Sequence, residues 1–354
     1  MLLCYTTSIR EVVYLSNVLI TGGAGFLGLN IALEYLASGD SVIIVDDMKN
    51  SYVEHIHNLE HHYPDRVTFY KGDVSDRALL DRVFSTHHID TVLHMAAYKN
   101  VGESKQKPSL YHINNIGTLK AVLHMCTKYH VSKFAFPSTA VVYGEQLAVP
   151  IREDSALQPL SPYAETKVSC EDIIHKWHES AGVPAVIFRF SNPIGANSEY
   201  HFGDHSKKGY GNLLPYIIGS ALEGKPMVFR GDDHPTHDGT AVRDYIYVSD
   251  LARTVHTVMT TKGSRDLEVL NVGSGKGTSV LDILHAVEDI LGYKLSYSFA
   301  PRNEFESSIS ILDTSRLHSK YDVSIDTALH DIVKSAIDFY KYTHKEAKYE
   351  GFGR

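Results

Sequence analysis

The chain has three cysteines in 354 residues: Cys4, Cys126 and Cys170. They are few, far apart and odd in number. That excludes a disulfide scaffold and suits a reducing compartment, so a cytoplasmic location is expected. No apolar run is long enough to span a bilayer, so no membrane contact is expected. Basic excess is missing as well: 34 Lys and Arg stand against 42 Asp and Glu, a net charge of −8. This leaves no footprint for nucleic acid, and an anionic ligand would need local cations set against the overall sign. The sequence has no internal repeat and no low-complexity tract. Histidine is frequent, but the pairs His61-His62 and His87-His88 have no cysteine or carboxylate at ligand spacing, and no metal is expected. Residues 1–16 precede the first strand pattern. They have no basic start, and Arg10-Glu11 soon follow a brief apolar stretch, so they are expected to be an N-terminal extension and not a signal peptide.

What the chain does have is a glycine-rich turn, Thr21-Gly22-Gly23-Ala24-Gly25-Phe26-Leu27-Gly28. It follows the apolar strand pattern 17–20 and precedes the helical pattern 29–38. Glycines at 22, 25 and 28 can supply a tight turn, close approach of a diphosphate to the backbone, and close packing of helix on strand. The helix start then offers free N–H groups to the phosphates, and Phe26 and Leu27, between the second and third glycines, are candidate cofactor contacts. A second strand pattern, 41–45, ends in Asp46, about 20 residues on, where a ribose hydroxyl would be held. No arginine follows Asp46 closely, which favours NAD over its 2′-phosphorylated form.

Helix and strand patterns then alternate. A helix is expected over 52–63, a strand over 67–70, a helix over 76–87 and a strand over 91–97. The long helix 111–130 carries Asn114, and a strand over 133–138 follows. This is the pattern of a doubly wound α/β sheet of Rossmann type. Asp73 and Val74 fall at a strand end on the ligand edge, where Asp73 can reach an adenine. Ala96 lets a cofactor lie against the backbone, and residues 98–104, with Lys99, are expected to form a loop over it. Beyond Asn192 the pattern loosens, with loops over 196–211 and 231–240 and helices over 212–223, 250–261, 279–291 and 329–340. Strands are expected over 245–248 and 267–272. The division expected is a cofactor domain over 17–190, its sheet completed by about 240–275, and a smaller α/β substrate domain over 191–240 and 276–354.

Tyr163 and Lys167 stand four apart and share a helix face, with Pro162 favouring a helix start. An ammonium beside a phenol stabilises the phenolate, so Tyr163 is expected to titrate below the ordinary value and to act as a general base. Ser138-Thr139 end the strand before this helix, and Thr139 can donate to the same substrate oxygen. Thr139, Tyr163 and Lys167 are the candidate catalytic residues.

At this point the chain resembles the extended short-chain dehydrogenase/reductases, and among them the UDP-glucose 4-epimerases. The likeness runs over nearly all of residues 17–354. It rests on the glycine turn, Lys99 to Ser104, Val142-Tyr143-Gly144, Ser161-Pro162-Tyr163, Asn192 to Ala196, Asn212-Leu213, Asp238 to Ile246, Ala300-Pro301-Arg302 and Gly351-Phe352-Gly353. The resemblance implies 4-epimerisation of a UDP-hexose through a transient 4-keto sugar, with NAD kept on the enzyme and a homodimer as the assembly. It implies substrate contacts at Lys99, Thr139, Tyr163, Asn192, Asn212, Leu213, Arg243, Tyr245, Arg302, Glu306 and Ser310, with Arg243 on the diphosphate. The chain departs from the usual pattern at Phe190, where a tyrosine is usual, at Thr139 for serine, at Asn303 for arginine and at Glu306 for aspartate. Aligned without a gap, Ser310 falls at a gate beside the sugar's 2-position. A tyrosine there resembles glucose/galactose-only members, whereas a small residue also admits N-acetylated sugars. A dehydratase or decarboxylase of the same fold needs an acid after Thr139, where Ala140-Val141 stand. A non-catalytic NAD-binding scaffold is the reading from another class.

Overall fold

The computed structural model describes residues 15–207, 209–261, 266–302 and 307–350, with side chains through residue 343. Most of the N-terminal extension, Cys4, Asn303, Glu306 and the Gly351-Phe352-Gly353 tail therefore lie outside the described residues.

The first half runs β1 (Asn17–Thr21), α1 (Phe26–Ala37), β2 (Ser41–Asp46), α2 (Val53–His62), β3 (Val67–Lys71), α3 (Arg77–Thr86) and β4 (Thr91–His94). It continues with α4 (Val101–Gln106), α5 (Pro108–Tyr111), a π-helical turn (His112–Ile116), α6 (Gly117–Lys128), β5 (Lys133–Thr139), α7 (Pro162–Ala181) and β6 (Ala185–Phe190). The second half adds β7 (Asn192–Ile194), β8 (Ala196–Asn197), β9 (Phe202–Gly203), α8 (Leu213–Glu223), β10 (Met227–Arg230), β11 (Val242–Tyr247), α9 (Val248–Thr260) and β12 (Leu267–Val272). It closes with β13 (Gly277–Ser279), α10 (Val280–Leu291), β14 (Tyr297–Ala300), β15 (Ile309–Ser310), α11 (Ser315–Lys320) and α12 (Leu329–Glu350).

Among the described residues, seven parallel strands form the central sheet in the order β12-β6-β5-β4-β1-β2-β3. Strand order reverses between β1 and β4, so the crevice outside their carboxyl ends is where a ligand lies in such a sheet. Central strands are apolar on both faces because helices cover both: Val18, Ile20 and Ile44 face the side of α1, α2 and α9, and Leu19, Ile43 and Val92 face α3, α6 and α7. A separate core of Leu214, Ile217, Ile218, Ile283, Leu284, Val333 and Ile337 joins α8, α10 and α12.

Several expectations are corrected. The stretch expected as a loop over 98–104 contains α4, because Asn100 caps it by accepting from the Glu103 N–H at 2.8 Å. The single helix expected over 111–130 starts at Pro108 and carries the π turn before α6. β6, to which the sequence reading assigned no strand, pairs with β5 along its whole length. The chain returns to the central sheet through β12; β11 pairs instead with β7, β13 and β15.

Candidate active site

At the first βα turn, Gly22 has φ +67°, and a Cβ there would lie 2.7 Å from the backbone of Ala96. A Cβ on Gly28 would lie 2.6 Å from Gly23 Cα. The turn therefore needs glycine at both positions, once for conformation and once for packing. Gly25 is the N-cap of α1 and no side chain caps the first turn, which leaves those amides, from Phe26, Leu27 and Gly28, to an anion. Asp46 is buried at the end of β2. Its Oδ2 accepts from the Ala24 N–H at 3.1 Å and its Oδ1 from the Met48 N–H at 2.9 Å. Burial pushes its carboxyl up, against those two hydrogen bonds. Asp73 is held below the ordinary value, first by the Ser75 N–H, and its carboxylate also accepts from Lys49 at 3.2 Å. Val74 is buried beside it, and Ala96 N–H points at Thr21 Oγ1. An uncapped helix start, a glycine cradle and a strand-end carboxylate fit a dinucleotide.

Farther along the same edge, β5 ends in Thr139 and α7 starts at Pro162, with Ser161 capping it by accepting from the Ala164 N–H at 3.2 Å. This brings Thr139 beside the Tyr163 phenol, where its hydroxyl favours the ionised form. Both Tyr163 and Lys167 are buried. Lys167 Nζ donates to the Pro137 carbonyl at 2.6 Å and lies 4.4 Å from the centre of the Phe136 ring. Burial pushes the Lys167 ammonium down to about 8. The expected lowering of Tyr163 is not what the protein's own groups produce. Burial pushes the phenol up to about 12, opposed by the Thr139 hydroxyl, while Lys167 is turned to a carbonyl.

Behind this pair lies a buried polar chain that sequence reasoning missed. Ser138 Oγ donates to Glu171, which is paired with Arg189 at 2.6 Å. Arg189 also donates to Tyr143 Oη at 2.9 Å, and Tyr143 Oη donates to Asn271 Oδ1 at 2.6 Å. Glu171 stands four residues after Lys167 on the same helix, but nothing in the sequence announces its partner. Asn115 was also missed. Next to Asn114, which donates to it, Asn115 accepts from the Tyr98 N–H at 2.9 Å and donates to the Tyr98 carbonyl at 3.1 Å. It thereby fixes the strand exit that leads to the exposed Lys99. Its π turn is the signal, and such turns are frequent at functional sites.

In the second half of the chain, Asn192 and Tyr245 are register partners on β7 and β11. Arg243 and Ser310 are partners on β11 and β15. Asp244, on the opposite face, accepts from Ser274 and Gly275 N–H and from Leu312 N–H, so its carboxylate does not answer to Arg243. Asn212 donates to Asp204 at the start of α8, and Leu213 packs partly into the core that also takes Tyr245. Arg302 is drawn to Asp233 at 3.7 Å. His237, Asp238 and Asp282 bring ligand-type atoms within 4.8 Å of one another, but Asp238 already accepts from Ser279 and Thr240, and Asp282 from the Ser279 N–H.

The fold and this constellation define a class: doubly wound dinucleotide enzymes with a tyrosine and lysine four apart on the helix after the fifth strand. The family described as NAD dependent epimerase/dehydratase matches residues 18–273, and the chain belongs to it. A UDP-glucose 4-epimerase of Halalkalibacterium halodurans is 36% identical over 289 residues, 80% of this chain and 83% of that protein. The crystal structure of UDP-glucose 4-epimerase from Bifidobacterium longum with NAD+ and UDP superposes with a TM-score of 0.89 at 34% identity, covering 92% of this chain and 98% of that one. The UDP-Glc/GlcNAc 4-epimerase of Campylobacter jejuni gives a TM-score of 0.79 at 28% identity, over 92% and 99%.

Proposed function

We propose that the protein interconverts the 4-epimers of a UDP-hexose while NAD stays bound. What supports this is Thr139 at the end of β5 beside the buried Tyr163 and Lys167 of α7, on the sheet edge that also carries the glycine turn. The dinucleotide is held by the Gly22, Gly25 and Gly28 turn with Phe26 and Leu27, by Asp46 on the adenosine ribose, by Asp73 and Val74 near the adenine, and by Ala96, Lys99 and Asn114. When bound, NAD supplies a reversible two-electron store for the sugar carbon and a positive ring charge that favours the phenolate. Tyr163 takes the 4-hydroxyl proton as that carbon becomes a ketone, and returns it when the carbon is reduced from the other face. Thr139 donates to the same oxygen and so holds it in line with the phenol. Lys167, fixed by the Pro137 carbonyl, carries the neighbouring positive charge below about pH 8.

Arg243 is placed on the diphosphate, Asn192 on the diphosphate or sugar, Asn212 and Leu213 on the nucleotide side and Glu306 on the uridine ribose, with Tyr245 and Arg302 as further substrate contacts; all but Arg243 and Tyr245 come from the domain of residues 191–240 and 276–354. A loose sugar pocket beside a firm nucleotide grip is what turning the keto sugar requires. Ser310 leaves room for a 2-acetamido group, so the substrate range proposed is UDP-GlcNAc/UDP-GalNAc as well as UDP-Glc/UDP-Gal. Elimination or decarboxylation chemistry is disfavoured by Ala140 and Val141, which form the turn after Thr139. The exposed Ile113 and Leu110 near the start of the long helix support a homodimer through it and α7. Buried, unpaired Cys126 and Cys170 support a reducing, cytoplasmic location, and among the described residues no helix is long and apolar enough to cross a membrane.

The test is an epimerisation assay on a panel of UDP-hexoses with no NAD added. Interconversion is expected. Cofactor-loaded protein with no turnover on any member would favour the scaffold reading.

A further inference from the structure

The turn His205-Ser206-Lys207, in the segment between β9 and α8, lies against the loop that follows Asp46. Three consecutive residues meet three alternate ones. The His205 ring stacks on Tyr52 with centroids 4.4 Å apart and planes 16° apart. Ser206 Oγ donates to Asn50 Oδ1 at 2.7 Å. Lys207 Nζ donates to the Met48 carbonyl at 3.3 Å and lies 5.1 Å from the centre of the Tyr52 ring. Met48 has φ 61°, a left-handed conformation that turns the chain immediately after Asp46.

The chain leading into this turn is firmly held. Asn58 donates to the Tyr200 carbonyl at 3.0 Å, and Asn30 to the Phe202 carbonyl at 3.3 Å. Immediately before the turn, Tyr340 donates to the Asp204 carbonyl at 2.7 Å. That approach is therefore pinned to α1, α2 and α12, and the turn itself rests on residues 48–52. Lys207 also counters the burial of Asp46, favouring its charged form.

We propose that His205-Ser206-Lys207 is a clasp that retains the adenosine end of the dinucleotide, with Lys207 and Ser206 as positioning residues for the Asp46 loop. It rests on the reading of Asp46 as the ribose acceptor. Asp46 itself is tied to the glycine turn through Ala24 N–H, so a shift of residues 47–50 would loosen ribose and diphosphate contacts together. The second domain thereby completes a site that the first half of the chain lays out. A hydrogen bond to a charged group contributes about 1.5–3 kcal/mol, or roughly ten- to a hundredfold in a rate of release.

The test uses the holoenzyme as purified. Wild type, Lys207→Met, Lys207→Arg, Ser206→Ala and Asp46→Ala are diluted or desalted for increasing times, and the NAD still on the protein is measured after denaturation. The expected result is cofactor loss about tenfold faster in Lys207→Met, severalfold faster in Ser206→Ala, and close to wild type in Lys207→Arg, which keeps the charge. If Asp46→Ala sheds NAD while Lys207→Met keeps it as wild type does, the clasp is wrong and the ribose reading stands. If Asp46→Ala keeps NAD, the ribose reading fails and the clasp with it. If Lys207→Arg loses NAD as fast as Lys207→Met, the charge has no role and the proposal is overturned.

Discussion

Arg243 and Ser310 stand opposite each other as register partners on the parallel strands β11 and β15. The guanidinium proposed for the diphosphate is thus one strand away from the residue proposed to gate the sugar. Ser310→Tyr should fill the space beside the sugar's 2-position, and overfilling a packed site commonly costs about 1–3 kcal/mol. Activity on UDP-GlcNAc should fall about ten- to a hundredfold, with UDP-Glc less affected. Equal loss on both, or a wild type inactive on UDP-GlcNAc, would sink the assignment.

Tyr163→Phe removes the acid-base oxygen and leaves a ring of the same shape. Turnover should drop by about 10²–10⁴-fold or more, with NAD content unchanged. The measurement is progress of epimerisation with the cofactor counted in the same sample. A near-normal rate would take Tyr163 out of the mechanism.

Arg189→Met leaves the Glu171 carboxylate buried without its partner. Breaking such a pair typically costs about 3–5 kcal/mol. The urea midpoint should fall accordingly, and adding Glu171→Gln should restore part of it. No recovery in the double variant would mean that the loss comes from packing of the arginine stem.

Acid should weaken the fold before any carboxylate of ordinary affinity titrates. Burial holds His94 at about 3 and His55 at about 4, against an ordinary 6.5. Below about pH 6.5 the unfolded chain binds protons at both sites and the native chain does not, so stability is lost as pH falls. For two sites the slope is at most about 3 kcal/mol per pH unit. Urea midpoints between about pH 7.5 and 5 check this. A flat profile would show that one or both rings gain a compensating partner.

The sequence made the glycine turn, Asp46 and the Thr139, Tyr163 and Lys167 set legible because each is a local pattern on one element or at one strand end. Register pairs such as Asn192 with Tyr245 needed the sheet. The direction of the Tyr163 shift was missed because burial dominates it while the Lys167 ammonium is turned to the Pro137 carbonyl, and both are properties of the packed protein. Glu171 with Arg189, and Lys207 with the loop after Asp46, were hidden for a different reason. Their partners come from separate elements, and a lone lysine or glutamate on a surface pattern carries no mark of where it will fold.

The late arrival of β12 sets the order in which the molecule can be made. It pairs with β6 from Leu267–Ala185 to Val272–Phe190, and about eighty residues separate the two strands. Until the ribosome has released that stretch, β6, apolar except for Arg189, presents an open edge that can pair with another chain. A nascent chain cut near Phe190 would hold nearly all of the expected dinucleotide contacts and still be prone to aggregate. Synthesis slowed between residues 190 and 272 should increase capture by chaperones, and a fragment ending at Val272 should be markedly more soluble than one ending at Phe190.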